Sequence, residues 1–277
     1  GAVTGVLLTG GTGFVGRQIL KRLLARGCRV RMTVRNPVSV PDEVEQVVVG
    51  DLFAAERFKL QDLCADIDVV CHAAWYAVPG KYLTAAENVD CLSGSLALGQ
   101  AAIAAGVRRF VGVGTCFEYD LNGGYLRTDT TLAPATLYGA CKASVYMALS
   151  KLMEREGRSF AWCRLFYLYG EGEDARRLVP YIRSRLAAGE PAELTSGTQI
   201  RDYLDVEDAG RMIADAALGP AEGALNICSG RPVAVADIAR RIADEFGRED
   251  LIRLGARRDS PGDPPCVFGE PSVALSG

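Results

Sequence analysis

The sequence has a single histidine, no pair of cysteines spaced C-x-x-C, no long apolar run and no excess of basic residues. Each absence closes off a class of function. One histidine, with no cysteine pair at ligand spacing, argues against a zinc site, so no metal is expected. No apolar run reaches the roughly 18 residues that a membrane span needs. Lys and Arg total 31 against 34 Asp and Glu, a formal net charge of -3, so no broad basic face for nucleic acid is implied. The first residues, Gly1-Ala2-Val3-Thr4, run straight into a strand-like segment with no basic n-region or cleavage site, and a cytoplasmic protein is expected. The nine cysteines, at 28, 64, 71, 91, 116, 141, 163, 228 and 266, are odd in number. Most sit in apolar segments such as Val69-Val70-Cys71, which reads as free thiols packed as small hydrophobes in a reducing compartment.

What is present is ordinary for a globular chain: 277 residues, 49% hydrophobic and 23% charged, enough to bury a full core. Strand-like and helix-like segments alternate through the first two-thirds. A short apolar run ends at Leu8, and Phe14, Val15, Ile19, Leu20, Leu23 and Leu24 then recur at helical spacing. Strands are expected near 29–34, 46–49, 68–71, 109–113, 159–166 and 225–228. Helices are expected over 83–105, 137–156, 175–188, 206–218 and 238–246. This rhythm predicts an α/β fold, a Rossmann-type doubly wound parallel sheet with a small C-terminal substrate-binding lobe. The expected dinucleotide-binding domain is 1–170, with 200–228 returning to it; the lobe is 171–199 and 229–277.

Gly10-Gly11-Thr12-Gly13-Phe14-Val15-Gly16 follows the first strand and opens the first helix. Glycines there let the backbone turn tightly and approach a pyrophosphate, and the helix start supplies unpaired N–H groups. Gly10, Thr12, Gly13, Phe14, Val15 and Gly16 are therefore cofactor candidates. An acid about 20 residues further on commonly holds a ribose 2′-hydroxyl, but the second strand here ends Thr33-Val34-Arg35-Asn36. Arg35 suits a 2′-phosphate, so NADP(H) is favoured, with NAD(H) as the alternative. Tyr138 and Lys142 stand four apart and share one face of a predicted helix. A fixed cation beside a phenol favours the phenolate and brings it nearer the working range of an acid/base.

The chain resembles the extended short-chain dehydrogenase/reductases, the nucleotide-sugar epimerases, dehydratases and reductases, from Val6 to about Gly269. The glycine loop and the Tyr-x-x-x-Lys pair carry the resemblance, together with Gly50-Asp51-Leu52, His72-Ala73-Ala74, Thr115, the strand Arg164-Leu165-Phe166-Tyr167-Leu168-Tyr169-Gly170 and the run Gln199 to Val206. It implies an NAD(P)-dependent oxidoreductase in which Tyr138 exchanges a proton with the substrate oxygen. Lys142 would bind the nicotinamide ribose, and Thr115 would orient the substrate oxygen. Asp51 and Leu52 would face adenine, while Ala73, Ala74 and Phe166 would line the cofactor. Arg201 would grip a substrate diphosphate, unless it pairs instead with Asp202 or Asp205. Arg257 or Arg258 would add a second diphosphate contact. Tyr167 stands where many members have an Asn, and Trp75 and Tyr76 would wall the sugar. The resemblance also implies a homodimer through the helices at 83–105 and 137–156, and a further helix following a segment like Pro271 to Gly277.

Departures from the family pattern narrow the reaction. The 4,6-dehydratases carry Asp-Glu directly after the catalytic Thr, whereas this chain has Cys116-Phe117; Glu118, one residue later, would point away in an extended segment. Dehydration is therefore not expected. The favoured reading is NADPH-dependent reduction of a nucleotide-linked 4-keto (6-deoxy) sugar. The alternatives are a nucleotide-sugar 4-epimerase, a reductase of small non-nucleotide ketones or aldehydes, and a catalytically silent NADP sensor.

Overall fold

The computed structural model describes residues 2–273; the last four residues of the expected lobe, 274–277, lie outside the described residues. The chain opens with β1 (Gly5–Thr9), α1 (Phe14–Ala25), β2 (Arg29–Val34), β3 (Glu45–Val48), α2 (Arg57–Leu63), β4 (Val69–His72), α3 (Glu87–Ala104) and β5 (Arg109–Thr115). It continues with β6 (Tyr125–Leu126), α4 (Leu137–Arg155), β7 (Ser159–Leu165), β8 (Tyr167–Tyr169), α5 (Leu178–Ala187), β9 (Ala192–Glu193) and β10 (Ile200–Asp205). The last elements are α6 (Val206–Leu218), β11 (Gly223–Ile227), β12 (Pro232–Ala234), α7 (Val235–Phe246), β13 (Ile252–Arg253) and β14 (Phe268–Gly269).

Seven strands form one parallel sheet in the order β11-β7-β5-β4-β1-β2-β3. Strands β1, β4 and β5 are buried along their whole length, as a sheet covered on both faces requires, so they read as continuous apolar runs. One core packs α1 and α6 against the sheet through Ile19, Leu23, Met212 and Ile213. The other packs α2, α3 and α4 through Leu60, Leu98, Val145, Leu149 and Trp162. The strand order reverses between β1 and β4, where Thr9 lies opposite His72. A crevice opens outside the carboxyl ends of the strands at such a point.

Beyond β7 the chain builds smaller units. Strands β12, β10 and β8 form a three-stranded sheet, and α5 and α7 close a second small core around Ile182, Leu186, Ile242 and Leu251. Within 200–228, α6 packs on the main sheet and β11 edges it, whereas β10 pairs with β8 and β12. Buried Asp202 draws β10 away: it accepts from the N–H groups of Ser229, Gly230 and Gly269 and from the Ser229 hydroxyl. Among the described residues, no helix is long and apolar enough to cross a membrane.

Several expected boundaries move for local reasons. Helix α3 starts at Glu87 rather than near 83, because the Leu83 carbonyl accepts from the Tyr138 N–H and is committed outside the helix. Helix α5 starts at Leu178 rather than 175, because Asp174 accepts from the Arg176 N–H in a turn. Helix α7 begins three residues earlier than its apolar pattern suggested, at Val235. The strands of two or three residues, β6, β9, β12, β13 and β14, were not anticipated; they are too short to show a period.

Candidate active site

A single cleft of about 1010 Å³ runs across the carboxyl ends of the sheet strands. Gly10, Thr12, Gly13, Phe14, Val15 and Gly16 line one end of it. Gly10 has φ +72°, and a Cβ there would press on the backbone of Ala73 and Ala74; a Cβ at Gly16 would overlap the Gly10 carbonyl oxygen. Helix α1 has no side-chain N-cap, so its first-turn N–H groups face the cleft without intrahelical partners. Bare donors at a helix start, on a loop that admits no side chain, fit the pyrophosphate of a dinucleotide. Arg35 also lines the cleft; its side chain is exposed and has no hydrogen-bond or ion-pair partner among the described residues. Asp51 and Leu52 follow, with Asp51 capping the turn Leu52–Ala54 by accepting from the Phe53 N–H at 3.0 Å.

The floor at the switch point depends on a residue that motif reading passed over. Thr9 Oγ1 accepts from the N–H groups of Ala73 and Ala74, both at 3.1 Å. Its own proton therefore goes to His72 Nδ1 at 2.7 Å, and His72 donates from Nε2 to Ser95 Oγ at 2.8 Å. Burial, with the Lys142 charge nearby, holds His72 neutral at a pKa of about 3. His72 is thus a buried brace, and Ala73 and Ala74 are the residues that reach the cleft. The only sequence signal for Thr9 was a polar residue ending an apolar strand.

Thr115 ends β5 and Tyr138 opens α4, and both line the cleft. Helix α4 starts there because Thr136 caps it, accepting from the Gly139 N–H at 3.1 Å. The Tyr138 ring is half-buried in an aromatic cage: Tyr82 meets it edge-on at 4.9 Å, with Trp75 and Phe117 each at 6.4 Å. Lys142 lies one turn on but does not line the cleft. Its Nζ donates to the Val113 carbonyl at 2.6 Å and sits 4.1 Å from the centre of the Trp75 ring. Burial lowers Lys142 from 10.5 to about 8, against the opposing pull of Glu118 and Cys91. Burial raises Tyr138 well above the usual phenol range, helped by Tyr82, Glu118 and Cys116, while the Thr115 hydroxyl acts the other way. The expected stabilisation of a phenolate by Lys142 is therefore corrected: desolvation wins, and Tyr138 is held as the protonated phenol.

Glu118 also departs from expectation. The segment Cys116–Glu118 is a 3₁₀ turn, not extended chain, and brings the carboxylate back beneath Thr115. There it is fully buried and accepts from the Thr115 N–H at 2.8 Å, Trp162 Nε1 at 2.9 Å and Arg164 Nε at 3.0 Å.

The far end of the cleft is lined by Phe166, Tyr167, Arg177 and Tyr203, with Trp75 and Tyr76 on one wall. Arg201 is buried and stays off the cleft. It donates to the Ile200 carbonyl and to Asp263 Oδ1 at 3.0 Å, and its guanidinium lies 5.2 Å from the Tyr167 ring centre. Its acidic partner is thus Asp263, not Asp202 or Asp205. Arg257 donates to the Tyr181 hydroxyl; neither it nor Arg258 lines the cleft. The cation that does face this end of the cleft is Arg177, whose guanidinium lies 5.9 Å from the Tyr82 ring centre. Motif reading did not single it out. Seven of the nine cysteines are buried, and all are free thiols.

A model of the NAD dependent epimerase/dehydratase family matches residues 6–228. The chain is similar to the dTDP-6-deoxy-L-talose 4-dehydrogenase (NAD(+)) of Aggregatibacter actinomycetemcomitans, at 24% identity over 90% of this chain and 92% of that protein. It is also similar to the UDP-glucose 4-epimerase of Neisseria meningitidis serogroup C, at 27% identity over 97% of this chain and 90% of that one. Among solved structures it resembles MoeE5 in complex with UDP-glucose and NAD, with a TM-score of 0.82 and 25% identity over 96% of this chain and 89% of that chain.

Proposed function

The chain belongs to the NAD dependent epimerase/dehydratase family, the NAD(P)-dependent enzymes of the extended short-chain dehydrogenase/reductase type, and on that premise we propose that it reduces a nucleotide-linked 4-keto-6-deoxy sugar to the 4-hydroxy sugar with NADPH. The observation that carries this reading is the single cleft in which the glycine loop, Thr115 with Tyr138, and an aromatic and cationic far end share one space. Gly10 to Gly16 would hold the pyrophosphate, Arg35 the 2′-phosphate, Asp51 and Leu52 the adenosine, Ala73, Ala74 and Phe166 the middle of the dinucleotide, and Lys142 the nicotinamide ribose. When bound, the dinucleotide supplies the hydride. Tyr138 gives its proton to the carbonyl oxygen, and the Thr115 hydroxyl donates a hydrogen bond to the same oxygen. Trp75, Tyr167 and Arg177 bound the sugar and its phosphates. Arg201, held on Asp263 behind Tyr167, would act on them through the Tyr167 ring. Residues 171–199 and 229–273 serve as the substrate lobe.

Three features favour reduction. Burial keeps Tyr138 protonated, the state from which it can donate. The residues after Thr115 offer no acid for dehydration: Cys116 and Phe117 are not acids, and Glu118 is saturated by buried donors. Arg35 stands unpaired at the ribose end, ready for a dianion. A 4-epimerase is the second reading, favoured by the similarity to the Neisseria epimerase over nearly the whole chain. Loss of NADPH absorbance with dTDP-, GDP-, CDP- and UDP-linked 4-keto-6-deoxyhexoses, with NADH in parallel, decides between them. Turnover with one nucleotide is expected. No net cofactor loss, with a dinucleotide recovered tightly bound to the protein, would assign the epimerase.

The exposed apolar side chains Val89 on α3 and Met147 on α4 support a homodimer through these helices. Sedimentation showing only a 29.6 kDa species would overturn it.

A further inference from the structure

Behind Thr115 and Tyr138 lies a buried polar network that the chemistry above does not use. Glu118 and Arg164 are 0% and 1% exposed, and their side chains pair at 3.0 Å. The Arg164 guanidinium is sandwiched between the rings of Tyr119 and Tyr146, at 4.6 and 4.5 Å. It donates to the Tyr119 hydroxyl, which donates in turn to Asn226 Oδ1 at 2.6 Å. Asn226 then donates to the Leu126 and Glu270 carbonyls. The network thus runs from the Thr115 N–H to the strands at the far side of the sheet.

Such a network is a poor way to gain stability. A buried ion pair costs several kcal/mol per charge in desolvation, and well-packed apolar residues often do as well or better. Here Arg164 Nη2 is left buried without a partner, a cost an apolar core would not incur. The backbone is also shaped around the carboxylate. A Cβ at Gly114 would overlap both Trp162 Nε1 and Glu118 Oε2, so this position in β5 must be glycine for Glu118 to sit beneath it.

We propose that Glu118 is the positioning residue of the active site, pinning the Thr115 backbone so that its hydroxyl faces the substrate oxygen while placing a fixed negative charge behind Tyr138 and Lys142. The proposal deepens the reductase reading and rests on it for what Thr115 does. The 3₁₀ turn carries Glu118 inward, so its carboxylate anchors the Thr115 N–H instead of facing the cleft. The charge has the right sign for reduction, since it favours the proton on both Tyr138 and Lys142. The other groups acting on Lys142 are Cys91 on α3, which also raises it, and His72 on β4, kept neutral; Trp75 covers its Nζ.

The test uses the full chain labelled with ¹³C-lysine, which carries only five lysines, with Lys142 assigned from the spectrum of Lys142→Met. In Glu118→Gln, the Lys142 midpoint should fall below its value of about 8, by about one pH unit. This readout needs no substrate and stands even if the sugar is misassigned. With substrate, kcat should fall on the order of tenfold while KM stays within about twofold, the pattern of an interaction felt mainly in the transition state. Glu118→Asp keeps the charge but withdraws it from the Thr115 N–H: the Lys142 midpoint should hold while kcat falls. Tyr119→Phe cuts the outer part of the network and should lower Tm with kcat and the midpoint unchanged. An unchanged Lys142 midpoint in Glu118→Gln overturns the electrostatic half, and full kcat in Glu118→Asp overturns the positioning half. If kcat loss merely tracks Tm loss across Glu118→Asp and Tyr119→Phe, the network is structural and the proposal fails.

Discussion

The two ends of the cleft are built from different materials. At the dinucleotide end the ligand-facing surface is mostly main chain: the glycine loop, the uncapped first turn of α1, and the Ala73 and Ala74 backbone held by Thr9. At the substrate end it is side chains, Tyr167 backed by buried Arg201 on Asp263, and Arg177 over Tyr82. A main-chain site is preorganised by the fold and fits one chemical group in all members that share the fold. A side-chain site can be rebuilt one residue at a time, which lets one scaffold take different substrates. Tyr138 sits where the two ends meet, so its removal should have the largest effect. Tyr138→Phe should lower kcat/KM about 10³-fold, the scale of a lost general acid, while leaving dinucleotide affinity within about twofold. A loss below tenfold would mean that another group supplies the proton.

The same division explains what could be read in the sequence. The alternation of strands and helices along the chain, the glycine loop and the Tyr138–Lys142 spacing were legible because each is a local pattern with a local physical cause. The substrate end was not. Asp263 lies 62 positions from Arg201, and nothing in either neighbourhood marks the pair. Glu118 was misplaced for a related reason: an extended chain and a 3₁₀ turn send residue three to opposite sides, and the turn is closed by Thr115 and by buried Arg164, which lies far along the chain. Lys142 was correctly placed beside Tyr138, but its effect was judged from the pair alone. The burial that reverses the shift on Tyr138 comes from Tyr82, Trp75 and Phe117, two of them on another loop.

Lys142 offers the next largest effect, and it separates function from stability. Its depression from 10.5 to about 8 corresponds to about 3 kcal/mol. Below pH 8 the folded protein carries the full cost of a buried ammonium. As pH rises from about 8 towards 10.5 the folded state binds fewer protons than the unfolded one, and stability should increase. Lys142→Met should therefore be more stable than the parent at pH 7 by about 2 kcal/mol, allowing for the lost bond to the Val113 carbonyl, and the gain should shrink by pH 10. Its turnover should nevertheless be lost. Calorimetry on the ligand-free protein at the two pH values checks the sign; destabilisation at pH 7 would show that the lysine is structurally favourable. In the parent enzyme, kcat should decline as pH rises through about 8, where the ammonium is lost.

Gly16→Ala tests the main-chain end directly. The new methyl overlaps the Gly10 carbonyl oxygen, which cannot swing away as a flexible side chain would. Overpacking costs of about 1–3 kcal/mol should appear as a dinucleotide affinity weaker by about 10- to 100-fold, measured by titration of the ligand-free protein. Substrate KM should change little at saturating cofactor. Unaltered dinucleotide binding would mean that the loop does not need the close approach that the structure shows.

Arg35 is the exception at the main-chain end, a side chain whose only role in the structure is to face the cleft. It is exposed, so its contacts with a 2′-phosphate compete with water and salt. Charge-assisted hydrogen bonds contribute about 1.5–3 kcal/mol when well sheltered, and the lower end applies here. Arg35→Asp should thus cost NADPH about tenfold in kcat/KM, with NADH unchanged or slightly better, because a carboxylate repels the 2′-phosphate but accepts from a 2′-hydroxyl. Any preference of the parent for NADPH over NADH should also shrink between low and high ionic strength, whereas the pyrophosphate contribution, from sheltered N–H groups, should shrink less. If Arg35→Asp keeps its NADPH preference, cofactor choice is not made by this side chain. The dinucleotide end would then be a main-chain site throughout, and its contrast with the substrate end would be complete.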